Sequence, residues 1–282
     1  MAFFDAIFFP EVSVPDSESF FQKNEFLIRR LHSLSGLVPV GAYMCVHLVT
    51  NASILNGSET FQNAVYQIHS LGNALFAVEW LFIFLPIIFH AVFGFVIMFG
   101  GKSNLKNYRY GGNVRYVLQR ATGMIAFVFI FLHVFHLHGW FHFDIWLKSV
   151  VEPLGGGQFL PYKASSTLAS ALQASFLIPT CYVIGLLSCV FHFANGLWTM
   201  GITWGVWTSP NAQKRAGYLI AAGGILLSLI GLSAIAGFTG LDAEKAEEVE
   251  TQMYENAVEG KRIPAAPHKF YGHDENHHEE HN

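Results

Sequence analysis

Five apolar runs, each long enough to cross a hydrocarbon layer, constrain this chain before any other feature: residues 31–52, 74–99, 114–135, 168–205 and 216–239. About 20 helical residues span the roughly 30 Å of a bilayer core, where only helices and closed barrels satisfy their own backbone groups. Composition agrees. Of the 282 residues 52% are hydrophobic and 13% charged, and mean hydropathy is +0.37, against about one-quarter charged in soluble domains. The expected fold is an all-α membrane protein of five transmembrane helices, the first four forming a bundle. The fourth run is long enough to include a helical extension beyond the lipid.

Charge orients the helices. Lys23, Arg29 and Arg30 precede the first run, Lys102, Lys106, Arg109 and Arg115 lie between the second and third, and Lys214 and Arg215 between the fourth and fifth. The first intervening loop has no Lys or Arg, and the loop between the third and fourth runs has only Lys148 and Lys163. The positive-inside rule then makes residues 1–30 a cytoplasmic N-terminal segment and puts the tail, 241–282, outside. That tail holds 11 of the 20 acidic residues and a His-rich end, "HKFYGHDENHHEEHN". Its composition reads as a disordered, solvated segment, with metal binding the other reading of its histidines. Residues 155–166, "GGGQFLPYKASS", read as a flexible outer loop. The start, "MAFFDAIFFPEVS", lacks a basic leader, so no cleaved signal peptide is expected. Because the cations flank membrane spans, nucleic acid is not an expected partner. They suit a docked protein on the cytoplasmic face, and topology alone explains them equally well.

Four histidines fall inside the runs, one on each of the first four: His47, His90, His133 and His192. Ionisable groups at membrane depth are costly and are functional candidates by default. Helices alternate in direction, and each histidine lies past the middle of its own. His47 and His133 therefore share the outer half of the membrane, and His90 and His192 the inner half. A neutral imidazole is a good axial ligand for haem iron, and two on facing helices clamp a porphyrin inside a four-helix bundle. Taken singly, each is equally well explained by a hydrogen bond to a neighbouring helix.

Glycines favour the paired reading. In "IIFHAVFG" and "CVFHFANG" the histidines are followed four residues later, on the same helical face, by Gly94 and Gly196. Gly36 precedes His47 by 11 residues and Gly123 precedes His133 by 10, about 15–16 Å further inward at the level of the inner pair. A flat macrocycle beside a helix needs such positions free of Cβ. The third run, "LHVFHLHGWFHF", also offers His136, His138 and His142; counted from Arg115, only His133 lies below the outer interface, and the rest join Trp140 in an interfacial belt. Cys45, Cys181 and Cys189 form no CxxC or CxxCH, which argues against zinc and covalently attached haem.

The stretches "RRLHSLSGLVPVGAYMCVHL", "EWLFIFLPIIFHAVFG", "VLQRATGMIAFVFIFLHVF" and "VFHFANGLWTMGITWG" resemble, in order over about residues 23–240, the di-haem cytochrome b membrane subunit of succinate:quinone oxidoreductases, the succinate dehydrogenase and fumarate reductase family. The resemblance implies two non-covalent haem b groups, with His90 and His192 ligating the inner and His47 and His133 the outer. It places His32 and Ser33 near the inner haem's propionates; Thr203 stands where some relatives carry a basic residue. It implies a flavoprotein subunit that oxidises succinate, an iron–sulfur subunit on the cytoplasmic face, a bacterial cytoplasmic membrane, and a membrane quinone, menaquinone, as acceptor. The reverse reaction, fumarate reduction, belongs to the same family. An anchor of another dehydrogenase or hydrogenase would share the histidine pairs but lack the "RRLHSLSG" and "HFANGLW" contexts.

Quinone reduction takes up two protons, and Glu79 is the single carboxylate in the five predicted runs. It precedes His90 by 11 residues, about 16 Å further out and on the same helical face. Its expected role is proton donor at an outer-side quinone site; a carboxyl that merely hydrogen-bonds at the interface is an equal alternative. Some di-haem relatives use a glutamate on helix four, but here Val190 stands two before His192 and 166–207 contains no acid. A haem-free transporter would need polar groups around Pro39, Pro86 or Pro179, and charged partners there are missing.

Overall fold

Each apolar run is helical, and none of the described residues is in a strand. The computed structural model describes residues 20–101, 106–108, 110–260, 262–263 and 266–272. The first span runs from α1 (Phe20–Ser35) through a π-helical turn at Gly36–Gly41 into α2 (Ala42–Ala52). After α3 (Ser58–His69), the second span runs from α4 (Ala74–Glu79) through a second π-helical turn at Trp80–Phe84 into α5 (Leu85–Phe99). The third span is α6 (Gly111–His138), followed by the short α7 (Asp144–Trp146) and α8 (Ala164–Gln173). The fourth is α9 (Leu177–Thr203) and the fifth α10 (Pro210–Thr239); α11 (Ala243–Glu259) and α12 (Pro267–Phe270) follow. These five helices are long and apolar enough to cross a membrane.

The two π-helical turns within the spans sit at prolines, Pro39 inside the first and Pro86 two residues beyond the second; a third, Leu147–Val151, follows α7. Proline lacks an N–H and its ring presses on the carbonyl four residues back, which a wider turn relieves. Pro179 needs no such turn, lying in the first turn of α9 where N–H groups have no helical acceptor. Each wide turn takes up about one extra residue, shifting helical phase by about 100°. The 11-residue count from Glu79 to His90 therefore does not keep the two on one face.

The fourth span packs on the third and fifth, the fifth on α2, and α1 on α5. The second span has no fully buried residue, and Phe76, Leu81, Phe82 and Leu85 are exposed, an apolar surface suited to lipid or a membrane partner.

At the far end of the bundle the expected helical extension is present, while the bounds of the fourth run and the reading of 155–166 are corrected. The fourth run is two helices broken at 174–176, and α8 is the extension, with most of its residues buried. Residues 155–166 are ordered: Tyr162, Ala164 and Ser165 are fully buried. Gly139, at φ +76, ends α6 and donates to the Val134 and Phe135 carbonyls, while Gly157, Gln158 and Phe159 donate to those of Phe135, His136 and Leu137. The loop thus satisfies carbonyls that a helix end leaves bare.

The tail is likewise no disordered segment over its described part. Asp242 caps α11 by accepting from the Lys245 N–H, and Ala246, Glu250 and Ala257 bury one face of it against α3 and α8. The Glu250 carboxylate, with no exposed surface, accepts from the Ser165 and Ser166 N–H groups and the Ser166 hydroxyl. Those N–H groups open α8, where the helix dipole favours an anion. Lys163 pairs with Glu247 at 2.8 Å, and Gln173 donates to the Phe238 and Leu241 carbonyls at 3.0 and 2.8 Å. Residues 1–19, Lys102, Arg109 and 273–282, with four of the tail's histidines, lie outside the described residues.

Replacing Glu250 with alanine strands buried donors at a cost of about 1–3 kcal/mol. Limited proteolysis of Glu250→Ala should cleave within 243–259 faster than in the parent, with Glu250→Gln intermediate.

Candidate functional site

The four histidines meet in the two pairs expected from their depths. His90 and His192 lie with ring centres 6.1 Å apart and planes at 87°, and His47 and His133 with centres 6.0 Å apart and planes at 77°. With metal–imidazole bonds of about 2 Å, and about 1.1 Å from ring nitrogen to ring centre, two rings sharing one iron stand about 6 Å apart.

The inner pair is built from four helices. His90 Nδ1 donates to the His32 carbonyl at 2.9 Å, and the His32 ring stacks on His90 at 4.0 Å. His192 Nδ1 donates to the Gln119 carbonyl at 3.0 Å. A proton spent at Nδ1 leaves the Nε2 lone pair, the tautomer a metal needs. The four glycines face this same place. A Cβ on Gly36 would collide with the His90 ring and one on Gly123 with the His192 ring, while those on Gly94 and Gly196 would touch His32 and Gln119. Gly36 reaches His90 from across the bundle, so its role is clearance for the opposite helix.

Polar side chains from the basic end support the pair. Gln119 Nε2 donates to the His192 carbonyl at 3.1 Å, buried Asn195 donates to Gln119 Oε1 at 2.7 Å, and Arg115 Nε donates to Asn195 Oδ1 at 2.7 Å. Arg115 also covers the Trp198 ring at 3.7 Å. Ser33 donates to the Arg30 carbonyl and accepts from Trp204 Nε1 at 3.2 Å. Thr203 is exposed and its hydroxyl turns back to the Met200 carbonyl, yet Arg30 donates to the Thr203 carbonyl at 3.2 Å. A cation thus stands at this position, supplied by the first span.

Around the outer pair, Asn51 Nδ2 lies 3.0 Å from His47 Nε2, Tyr43 stacks on His47 and Phe129 on His133. Of the third span's other histidines, His136 Nδ1 bonds the Tyr182 hydroxyl at 2.9 Å and His138 packs against His142. Glu79, half-buried, lies within electrostatic reach of Tyr43, beside the outer pair.

No family model matches the chain. Over 214 residues it is 37% identical to the succinate dehydrogenase cytochrome b558 subunit of Bacillus subtilis (strain 168), a match covering 76% of this chain and 97% of that protein. The chain belongs to the succinate dehydrogenase cytochrome b family. As such a cytochrome b subunit it is a multi-pass membrane component of an enzyme complex and associates with other complex II subunits.

Reading the sequence for charges and histidines missed Gln119, Asn195 and Asn51 of the cytochrome b subunit. Amides inside apolar spans carry the same cost of burial, and that signal would have found them.

Gly36→Val and Gly123→Val should each lower the b-type absorbance of the purified complex in a reduced-minus-oxidised spectrum. Gly223→Ala, where an added Cβ meets nothing within 4 Å, should leave the spectrum unchanged, as should His136→Leu.

Proposed function

We propose that this chain anchors the succinate-oxidising flavoprotein and iron–sulfur subunits at the membrane and carries their electrons to a membrane quinone, menaquinone, with two b haems held by His90 with His192 and by His47 with His133. The observation that carries this reading is the pairing of imidazoles across the bundle, 6.1 and 6.0 Å between ring centres, on the first four spans. Two further features suit a haem. The buried Nδ1 atoms of His32 and His133 have no hydrogen-bond partner among the described residues, and the glycines keep Cβ atoms away from the inner rings. Bound haem supplies reversible one-electron transfer.

The chain's own residues do the rest. His32 and Ser33, with Arg30 close by, offer donors and positive charge to propionates at the inner site. Gln119, Asn195 and Arg115 hold the His192 helix in place, and the succinate site lies on a partner subunit. At the other end Glu79, beside Tyr43, gives protons to the quinone near the outer pair. In this reading the end carrying α3, α8 and the tail faces outward and the basic end faces the cytoplasm and the partner subunits.

His90→Leu or His192→Leu should unseat one haem while the other keeps its spectrum. Glu79→Gln should keep both spectra and haem reduction by succinate, and slow quinone reduction by at least tenfold, on the scale of a lost general acid; full turnover in that variant removes Glu79 from the mechanism.

For orientation, protease added to right-side-out vesicles carrying Glu250→Ala, whose tail helix is loosened, should clip the C-terminal segment. Cleavage confined to inverted vesicles would reverse the topology.

A further inference from the structure

Beneath the tail lies a group of polar side chains that the electron path does not use. Tyr66 and His69 close α3, and Tyr162 comes from the loop before α8. The Tyr162 ring meets Tyr66 at 5.5 Å and His69 at 6.2 Å, both edge-on, and Tyr254 of α11 at 5.5 Å. Tyr162 has no exposed surface and Tyr66 is 8% exposed. Among the described residues the hydroxyls of Tyr66 and Tyr162 and Nδ1 of His69 have no hydrogen-bond partner, although all three are buried. Buried polar groups are nearly always satisfied, by water where protein does not reach. Three such atoms around one ring are a set of donors and acceptors that bridging water would satisfy.

The surroundings give that place two ends. On the tail side, Ala257, Ile263, Ala266 and Phe270 close over it, and the Tyr162 N–H donates to the Lys269 carbonyl at 3.0 Å. Lys269 places its ammonium 5.7 Å from the Tyr162 ring centre, within electrostatic reach of both His69 and Glu79. On the membrane side, His69 ends α3 and α4 begins at Ala74. Glu79 follows five residues into that helix, about 7.5 Å along its axis.

We propose that Tyr66, His69 and Tyr162 hold a short chain of water under the tail that passes protons between the outer compartment and Glu79. The proposal rests on the reading of Glu79 as the quinone's proton donor. Burial, followed by the nearby Lys269 charge, lowers the pKa of His69 to about 4, so the ring is neutral at physiological pH, with one N–H and one lone pair. Burial first, then the charge of Glu250, pushes the Tyr66 hydroxyl up. Each group therefore both donates and accepts, as a relay requires, and none holds the proton. For each quinone reduced, two protons enter from outside, pass as hydrogen-bond exchanges along water, hydroxyl and imidazole, and leave through the Glu79 carboxyl to the two quinone oxygens. Glu79 is reprotonated after each transfer, and the relay gains and loses none.

The test uses the assembled complex in proteoliposomes with succinate and a menaquinone analogue. Tyr162→Phe removes a hydroxyl with no protein partner, so both haem spectra and resistance of the tail to protease should match the parent. Quinone reduction should fall at least tenfold in Tyr162→Phe and in His69→Leu, with haem reduction by succinate unchanged. Imidazole added outside should restore much of the rate, and combining either change with Glu79→Gln should slow turnover no further than Glu79→Gln alone. Rates within twofold of the parent in both relay variants, while Glu79→Gln is slow, would overturn the relay and leave the Glu79 reading standing. A full rate in Glu79→Gln would remove both.

Discussion

An imidazole at membrane depth has no water to bond its ring nitrogens, and the arrangement of the first four spans answers that constraint. The inner pair gives its Nδ1 protons to carbonyls of other helices, His90 to His32 and His192 to Gln119. Those bonds cross the bundle, so they fix helix positions as well as ring tautomers. They also determine where small residues must stand, since a ring reaching across toward Gly36 or Gly123 leaves no room for a Cβ. At the outer pair the Tyr43 and Phe129 rings stack on His47 and His133, while Asn51 bonds His47 at Nε2 rather than Nδ1.

The polar network on the basic end extends this logic toward the surface. Arg115, Asn195 and Gln119 form one hydrogen-bonded line to the His192 backbone, and each member supplies the partner the next would lack in hydrocarbon. The spacing of charges along the sequence predicted that these cations flank the membrane. Their inward hydrogen bonds give Arg115 a structural role beyond topology.

What the sequence made legible follows from cost. The five spans and the pairing of His47 with His133 and of His90 with His192 could be read because apolar length and buried ionisable groups admit few alternatives. The break at 174–176 could not, because "ALQASF" contains neither proline nor glycine to mark it. Pro39 and Pro86 signalled distortion without its kind, so counting by 3.6 residues put Glu79 and His90 on one face. The described part of the tail was misread because its acids outweighed a buried stripe of Ala246, Glu250 and Ala257; one of those acids is itself the contact that docks the helix. Residues 155–166 looked flexible, yet the N–H groups of Gly157, Gln158 and Phe159 are what the end of α6 requires.

The two wide turns bear on how this chain tolerates insertion and deletion. In a regular helix, losing a residue rotates everything beyond it by about 100° and draws it about 1.5 Å closer. Gly36–Gly41 and Trp80–Phe84 already hold a surplus residue each, so a deletion there would tighten the coil to an ordinary helix and turn His47 away from His133, or His90 away from His192. Within those turns, the number of residues also sets the bearing of a ligand half a membrane away, so length counts there beside the identity of residues such as Gly36 and Pro39.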